Sequence, residues 1–457
     1  MKAVVCGAGR VGYGIARELA AEGNAVTVVD WSQDLIDKIT TDLDVRGVVG
    51  HGSQPDVLDR AGAGDADLLV AVTYSDETNM VACQVAHSVF ETPTKIARVR
   101  AQSYLDKKWA DLYAQDALPI DVRISPELEV SQSILQRLET PGAFATAPFA
   151  NSRVQILGLS VSESSPVASS TRDEIRDLFP DLGFDVVGIQ RDKTLFIPDG
   201  TDPIMAGDDV YVSIESAQLK RVLDVFGVTD QRARRVVVIG AGNIGLYVAK
   251  AMERVGGMRV RLIERDKAQA ERAADALRRT VVLNGDGLDR EVLHEAGVED
   301  CELALCITND DKVNLLSAVM AKKEGAKRAL CLVNDQAFAP VKSALDIDIF
   351  IDPRGVTVST ILQHIRRGRI TGLQRLAGGE AEALEGVALT TSPLVGQSLD
   401  DLSLPEGVAI GAVVRGDKVF FAHDDVKIES NDRVVFFALK AAVPKVEQLF
   451  RVSIEYF

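Results

Sequence analysis

Short apolar runs alternate with segments of helical periodicity through the first part of this 457-residue chain. The runs are nearly continuous in apolar character, which is typical of parallel strands buried on both faces of a sheet. Such an alternation, with right-handed crossovers, predicts a doubly wound, Rossmann-like parallel sheet. The strand-like runs are Ala3–Cys6, Ala25–Val29, Val45–Val49, Leu68–Thr73 and Ile96–Val99, and the helical segments are Ile15–Ala21, Leu35–Ile39, Val57–Ala61 and Met80–Phe90.

The same landmarks return, in the same order, in the second half of the chain. Small drifts in their spacing are what insertions in surface loops produce, so we interpret the pattern as an internal duplication. The matched segments are Gly7-Ala8-Gly9-Arg10-Val11-Gly12 with Gly240-Ala241-Gly242-Asn243-Ile244-Gly245, Asp30 with Glu264, Gly50-His51-Gly52 with Gly285-Asp286-Gly287, and Thr73-Tyr74 with Thr308-Asn309.

A smaller module follows each Rossmann-like segment. Ser165-Pro166 matches Ser392-Pro393, and both modules carry turn signals and alternating apolar residues. We therefore predict an α/β protein with two Rossmann-like domains, each followed by a small α+β domain. The predicted domains are 1–140 and 234–368 for the Rossmann-like folds and 150–228 and 376–457 for the small ones, with connecting segments at 140–152 and 229–235.

Composition and charge then narrow the chemistry. Hydrophobic residues make up 46% of the chain and charged residues 26%, as in ordinary globular proteins. The net charge is −16, which opposes binding to nucleic acid over long range. Any anion that the chain binds is therefore captured by a local arrangement of donors.

Cysteine, histidine and apolar residues exclude several other classes of protein. The 5 cysteines lie mostly in apolar runs without CxxC spacing, and the 5 histidines form no HExxH motif, so we expect core cysteines in a reducing cytoplasm and no metal site. No stretch of 18 uncharged residues occurs, and the N-terminus opens on a strand-like run. We therefore expect neither a membrane span nor a signal peptide.

Each Gly-x-Gly-x-x-Gly motif follows a strand and opens a helix, which is the setting of a dinucleotide-binding loop. The first glycine permits the turn, the second lets the backbone approach a diphosphate, and the third lets helix and strand pack closely. Unpaired amides at the helix N-terminus favour the anion. The predicted loop residues are Gly7, Ala8, Gly9, Arg10, Val11 and Gly12 at the first site and Gly240, Ala241, Gly242, Asn243, Ile244 and Gly245 at the second.

An acid closes the second strand of each repeat. Asp30 and Glu264 follow the last glycine by about 20 residues, the spacing of a carboxylate that binds ribose hydroxyls and repels a 2′-phosphate. The sequence therefore favours NAD over NADP. The remaining candidates, Thr73, Tyr74, Arg98, Thr308 and Asn309, end later strands at the carboxyl edge of the sheets, where open α/β sheets bind ligands.

The two sites differ in their cations. Arg10 stands where the second loop has Asn243, and Arg98 where the second repeat has Leu332. An arginine at either place can pair with phosphate oxygens, although Arg10 can also be an ordinary exposed loop residue. The difference predicts two inequivalent nucleotide sites.

Four segments of the first repeat together carry a resemblance to a known family. They are the glycine loop, the strand-ending acid, Asp67–Ala86 and Ile96–Arg100. The chain resembles the TrkA family, the regulatory subunits of bacterial Trk potassium uptake systems, and each pair of domains is similar to an RCK domain (KTN plus TrkA-C). The resemblance covers essentially the whole chain, and Ala71–Met80 is its most specific segment.

The resemblance implies a non-enzymatic subunit that gates a membrane potassium transporter. It implies binding of NAD(H), ATP and ADP at the two sites, with Asp286 added to the second. It also implies assembly into a ring, as a dimer or tetramer, on a TrkH- or TrkG-like membrane protein at the cytoplasmic side of the bacterial inner membrane. The helical pattern from Glu127 to Leu138 is a candidate interface, or else a helix that packs on its own domain.

One residue departs from the family pattern. His51 stands where the resemblance leads us to expect aspartate, close to the adenine or ribose of the first site. We include it among the cofactor-binding candidates, with a pH sensor as the less favoured role. Two other functions stay open: an NAD-dependent oxidoreductase and a scaffold with permanently bound nucleotide. Tyr104 precedes Lys107 and Lys108 by three and four residues, but in a polar helical segment that we interpret as a surface face and not as a catalytic pair.

Overall fold

The computed structural model describes residues 1–113, 117–140, 142–228, 233–338, 344–345, 347–365, 370–399 and 402–450. The chain forms two compact units. One, the Rossmann unit, contains Met1–Ile134 and Arg235–Ile365, and the other, the antiparallel unit, contains Leu135–Arg234 and Arg366–Phe457. The predicted domain ends at 366–368 and 451–457, and residues 229–232 of the predicted connection, lie outside the described residues.

The first half of the Rossmann unit is a six-stranded parallel sheet of order β3-β2-β1-β4-β5-β6. This is the doubly wound order that the sequence predicts. The sixth strand is too short to stand out from its surroundings in the sequence. The elements are β1 (Lys2–Cys6), α1 (Arg10–Ala21), β2 (Ala25–Asp30), α2 (Gln33–Asp42), β3 (Arg46–Val49), α3 (Pro55–Arg60), β4 (Leu68–Ala71), α4 (Asp76–Ser88), β5 (Thr94–Arg98), α5 (Gln102–Leu105), β6 (Val122–Ile124) and α6 (Pro126–Glu139).

The second half of the Rossmann unit repeats this sheet with the order β14-β13-β12-β15-β16-β17. The duplicated fold predicted from the sequence is therefore confirmed for the two parallel sheets. Its elements are β12 (Arg235–Ile239), α9 (Asn243–Val255), β13 (Arg259–Glu264), α10 (Lys267–Ala276), β14 (Val281–Asn284), α11 (Arg290–Glu295), β15 (Leu303–Cys306), α12 (Asp311–Lys323), β16 (Ala329–Leu332), β17 (Ile349–Ile351) and α13 (Pro353–Ile365).

Helix α13 belongs to the second repeat in sequence but packs in the core of the first. Its buried residues Val358, Ile361 and Leu362 share one hydrophobic cluster with the β1, β2 and α1 side chains of the first repeat. At the closest point, a Cβ on Gly14 of α1 would lie 3.0 Å from Cγ2 of Val358. The first sheet is therefore covered on one face by a helix contributed from the other half of the chain.

The antiparallel unit holds two five-stranded sheets of matching topology, β10-β9-β11-β8-β7 and β18-β19-β22-β20-β21. The first begins at Ala143, inside the segment 140–152 that we predicted as a connection, because alternate residues of that strand are buried. The elements are β7 (Ala143–Phe149), β8 (Val154–Ser160), α7 (Arg172–Leu178), β9 (Phe184–Arg191), β10 (Thr194–Phe196), β11 (Asp209–Glu215), α8 (Leu219–Val225), β18 (Ile370–Leu376), β19 (Ala381–Val387), β20 (Val408–Arg415), β21 (Lys418–Phe420), β22 (Arg433–Leu439) and α14 (Val443–Leu449).

One apolar cluster joins the two antiparallel sheets within this unit. Tyr211 of β11 and Phe437 of β22 lie with ring centroids 5.3 Å apart, and a Cβ on Gly188 would lie 2.7 Å from the Phe437 ring. Small modules of this size gain stability by burying an apolar face against a partner. The two small domains therefore share a core.

Candidate nucleotide-binding site

The two glycine loops have the same geometry. Gly7 and Gly240 have φ values of +110° and +111°, a conformation that L side chains rarely adopt. A Cβ on Gly12 would lie 1.8 Å from the Gly7 carbonyl oxygen, and one on Gly245 would lie 2.0 Å from that of Gly240. The first and third glycines are therefore required by the turn itself.

The middle glycines have a different environment. Gly9 and Gly242 cap helices α1 and α9 in extended conformation, and a Cβ on either one would meet no atom within 4 Å. The open space lies at the helix N-terminus, where unpaired backbone amides attract anions. This arrangement suits the close approach of a diphosphate.

The strand-ending acids hold these loops in place. Asp30 Oδ2 accepts a 2.7 Å hydrogen bond from the Ala8 amide, and Glu264 Oε2 accepts the equivalent 2.7 Å bond from the Ala241 amide. Their other oxygens accept from the amides of Ser32 and Asp266. The carboxylates therefore orient the loop as well as offering lone pairs at the carboxyl edge of the sheet.

A buried asparagine ties two strand ends together in each repeat. Asn79 Oδ1 accepts from the amide and hydroxyl of Thr73 at 2.8 and 2.7 Å, and its Nδ2 donates to the carbonyls of Thr73 and Arg98. Asn314 makes the same four contacts with Thr308 and Leu332. Thr73 and Thr308 are thus held by Asn79 and Asn314, which stand at matching places in the two repeats.

A cavity of about 1150 Å³ within the Rossmann unit brings residues of both repeats together. Residues from both glycine loops line it, which the sequence could not reveal because the loops are far apart along the chain. The predicted site residues among its lining are Arg10, Val11, Tyr74, Arg98, Gly240, Gly242, Asn243, Ile244, Glu264, Asp286, Thr308 and Asn309.

Other predicted residues lie outside the lining of this cavity. Gly7, Ala8, Gly12, Ala241 and Gly245 are buried in the loops, whereas Gly9 is exposed. Asp30 is buried beneath its loop, and the Thr73 hydroxyl donates its hydrogen bond to Asn79 Oδ1. His51 is exposed at the end of β3, where its Nδ1 lies 2.8 Å from Ser53 Oγ. Most of these residues belong to the first loop or its edge, and the cavity is formed more fully around the second loop.

Sequence reasoning missed several charged residues in the cavity. Arg100 and Glu127 of the first repeat form a 2.7 Å ion pair there, and Arg265, Arg272 and Arg354 come from the second repeat. With Arg10 and Arg98, six arginines line this cavity in a chain of net charge −16. Arg354 follows Asp352-Pro353 at a helix start, and its sequence position alone gave no indication of a cavity.

Arg98 is held in a partly buried position. Its Nη2 donates a 2.9 Å hydrogen bond to the Thr73 carbonyl, while its buried Nε has no hydrogen-bond partner within the described part of the chain. Burial and the nearby Arg100 lower the pKa of Arg98, although an arginine remains charged at neutral pH. A partly buried cation with an unused donor is suited to an anionic ligand.

The structure also describes the cysteines and the features relevant to metals and membranes. All five cysteines are described, buried and outside any disulfide, and burial raises the pKa of the Cys6 thiol to about 12. No group of three or more metal-ligating side chains was found among the described residues. Across the same residues, no helix has the length and apolar character needed to cross a membrane.

Comparisons with known proteins agree with this architecture. The TrkA-N domain model matches residues 3–126 and 236–353, and the TrkA-C domain model matches residues 156–227 and 384–451. Among solved structures, the GsuK RCK domain aligns with a TM-score of 0.60 at 17% identity, covering 98% of this chain and 94% of that one. A GsuK channel bound to NAD aligns with a TM-score of 0.59 at 16% identity, covering 98% of this chain and 78% of that one. At these identities the likeness shows the fold.

Curated relatives match along the whole chain. The Trk system potassium uptake protein TrkA of Azorhizobium caulinodans is 48% identical over 458 residues, covering 100% of both chains. The proteins of that name from Halomonas elongata and Vibrio alginolyticus are 41% and 38% identical, covering 100% and 99% of each chain. With both domain models matched twice and this identity over full length, the chain belongs to the TrkA family of Trk system potassium uptake proteins.

Proposed function

We propose that this protein is a nucleotide-sensing regulatory subunit that binds NAD(H), ATP or ADP at its two glycine loops and gates a potassium-transporting membrane protein. The observation that carries the proposal is the cavity of the Rossmann unit, which is lined by residues of both glycine loops and by arginines of both repeats. A nucleotide in this cavity contacts two domains at once.

The charges of the cavity support an anionic ligand. The amides at the starts of α1 and α9 and the arginines of both repeats supply a local positive field, which offsets the repulsion expected from a net charge of −16. Glu264 and Asp286 lie in the same lining and can accept hydrogen bonds from ribose hydroxyls or an adenine amine. Phosphate and sugar thus have separate partners.

A ligand held between two domains can act as a switch. If di- and triphosphates, or the two oxidation states of NAD, draw the arginines of the two repeats together to different extents, they stabilise different arrangements of the Rossmann unit. A ligand shifts such an equilibrium only by its difference in affinity for the two states. We propose that this difference is transmitted to the transporter.

The proposed membrane partner comes from membership of the TrkA family. We propose that the protein assembles as a homo-oligomeric ring on a TrkH- or TrkG-like membrane protein at the cytoplasmic side of the inner membrane. The relatives carry the name of a potassium uptake system, and the solved GsuK structures include a channel with the same fold. Its role is regulatory rather than catalytic.

The binding step is tested by calorimetry with ATP, ADP, NADH and NAD⁺ on the purified chain. Asp30→Asn and Glu264→Gln keep an oxygen for the loop amide but remove the charge, so each is expected to weaken binding at its own site. Asp34→Asn, at an exposed position of α2, is the matched control. Absence of binding by all four nucleotides would refute the proposal.

The gating step is tested by rubidium uptake in cells that lack the gene, complemented with these variants. We expect uptake to fall on deletion and to respond to nucleotide through the intact sites. Unchanged uptake in a strain without a second homologue would refute the regulatory role. Stoichiometric oxidation of NADH by a metabolite, catalysed by the purified protein, would instead support the oxidoreductase alternative.

A further inference from the structure

An exposed tryptophan follows the acid of the first site. Trp31 comes directly after Asp30, the last residue of β2, and 80% of its surface is exposed. Large aromatic side chains are usually well buried, because leaving one in water forfeits about 1.5–3 kcal/mol of burial free energy. An indole in this position at the ligand edge of a sheet is available to a flat apolar partner.

The register of the sheet places a second ring next to the same edge. Asp30 of β2 pairs with Val49 of β3, and the Gly50 amide donates a 2.9 Å hydrogen bond to the Asp30 carbonyl. Trp31 and His51 therefore follow neighbouring strand ends, on either side of this pairing. Both side chains are exposed; Trp31 follows Asp30 by one residue, and His51 follows Val49 by two.

The second repeat replaces both rings with charged groups. Glu264 pairs with Asn284 in the same register, and the Gly285 amide donates to the Glu264 carbonyl at 3.0 Å. The residues that follow are Arg265 and Asp286, and both line the cavity. At equivalent strand ends, the first repeat therefore carries two exposed rings and the second repeat two side chains of opposite charge.

We propose that the first site holds the purine ring of its nucleotide by stacking it on Trp31, with His51 beside it, whereas the second site holds adenine through Arg265 and Asp286. The proposal rests on nucleotide binding at the two loops and adds how each site recognises the base. Stacking accepts any flat base, because every base has a π-face. A carboxylate that accepts from the adenine amine favours adenine over guanine, whose carbonyl it would repel.

The two sites therefore differ in specificity. The first site accepts ATP and GTP with affinities within about tenfold of each other, as expected of stacking without hydrogen-bond readout. The second site prefers ATP. In a cell, the first site then responds to purine nucleotides in general, and the second site responds to adenine nucleotides alone.

The chain provides its own probe for this proposal, because Trp31 and Trp109 are its 2 tryptophans. In Trp109→Phe, Trp31 is the sole indole and reports on stacking by its fluorescence. ATP and GTP are expected to quench it, whereas inorganic tripolyphosphate, which has no base, is expected to leave it unchanged. Calorimetry on the same sample measures binding independently of the indole.

The outcomes separate this proposal from the proposed function. ATP binding by calorimetry with unchanged Trp31 fluorescence overturns the stacking and leaves nucleotide sensing intact. Quenching by ATP but not by GTP overturns the claimed base tolerance. Absence of binding by calorimetry overturns both proposals.

Substitutions at the indole provide a second test. Trp31→Ala is expected to lower first-site affinity for ATP and GTP about tenfold, the size of one aromatic–base stack, and Trp31→Phe to retain most of it. Trp109→Ala, at the other exposed tryptophan, is the matched control and is expected to leave affinity unchanged. Equal affinities in Trp31→Ala and the unsubstituted protein, or a change in oligomeric mass instead of affinity, would overturn the proposal.

Discussion

The glycines of each loop differ in their surroundings. Gly12 is enclosed, with the Gly7 carbonyl oxygen 1.8 Å from where its Cβ would be, whereas Gly9 faces open space. The enclosed glycine serves the packing of helix on strand, and we propose that the open one leaves room for the nucleotide. The same contrast holds for Gly245 and Gly242, so both glycine environments occur in each repeat.

This contrast predicts opposite phenotypes for two alanine substitutions. Gly12→Ala forces a methyl group into a backbone oxygen and is expected to destabilise the protein by about 3 kcal/mol. Gly9→Ala is expected to leave the free energy of unfolding unchanged within about 0.5 kcal/mol and to weaken nucleotide binding. Urea unfolding and calorimetry on both variants measure the two effects, and loss of stability in Gly9→Ala would contradict this assignment.

Asn79 is a structural residue in the midst of candidate ligand residues. It is fully buried and joins the ends of β4 and β5 through four hydrogen bonds. Asn79→Ala leaves buried backbone groups unpaired and is expected to cost about 2–3 kcal/mol in urea unfolding. Ser88→Ala, at an exposed position of the same helix, should have no comparable effect. Equal stability of the two variants would show that water replaces the lost bonds.

At the scale of elements, two helices at matching places in the repeat contact each other inside the Rossmann unit. The Thr360 hydroxyl of α13 donates a 3.2 Å hydrogen bond to Glu129 Oε2 of α6. Helix α13 also inserts Val358, Ile361 and Leu362 into the core of the other repeat. The helical pattern at Glu127–Leu138, which we predicted as an interface or as a helix of its own domain, thus lies in a helix that contacts the second repeat.

The Glu129 contact predicts a pH-dependent stability. Burial raises the pKa of Glu129 above its usual 4.5, and the Thr360 hydrogen bond opposes this only in part. An acid whose pKa is higher in the folded protein destabilises it when ionised, so this cost is absent below about pH 4.5 and grows as pH rises through the raised pKa.

Glu129→Gln is therefore expected to stabilise the protein at pH 7.5 and to have little effect at pH 4. Chemical denaturation at the two pH values measures the difference. Glu271→Gln, at an exposed position of α10, is the control and should show no such dependence. A stabilisation that is equal at both pH values would exclude ionisation of Glu129 as its cause.

At the scale of the whole molecule, each compact unit combines parts of both halves of the chain. The Rossmann unit contains Met1–Ile134 and Arg235–Ile365, and the antiparallel unit contains the segments that follow each of them. Division of the chain at its duplication point would therefore uncover apolar surface in both units. We therefore expect the two copies to depend on each other for stability.

A fragment of residues 1–228 tests this dependence. It lacks α13, so the buried face formed by β1, β2 and α1 loses its cover of Val358, Ile361 and Leu362. We expect the fragment to self-associate, since a second copy can offer its own equivalent helix, α6. Sedimentation velocity measures the mass, and a stable monomer with the thermal midpoint of the full chain would contradict the prediction.

Much of this organisation was predictable from the sequence. Continuous apolar strands, glycine loops and strand-ending acids gave the parallel sheets and the family, because these are local patterns with a fixed periodicity. The predicted start of the first small domain, residue 150, lies after the first strand of its sheet. The sequence of β7 is rich in proline and alanine, and its strand character depends on burial of alternate residues in the folded protein. The short strands β6 and β17 have too few residues to show a period.

The sequence by itself determined the duplication, the doubly wound sheets and the conformation of the glycine loops, because each depends on residues close together in the chain or on their repetition. Tertiary structure alone decided which repeats share a core, that α13 covers the other repeat, and that the arginines of both repeats line one cavity. These contacts join residues far apart along the chain, and their free energy comes from burying apolar faces whose partners no local pattern specifies.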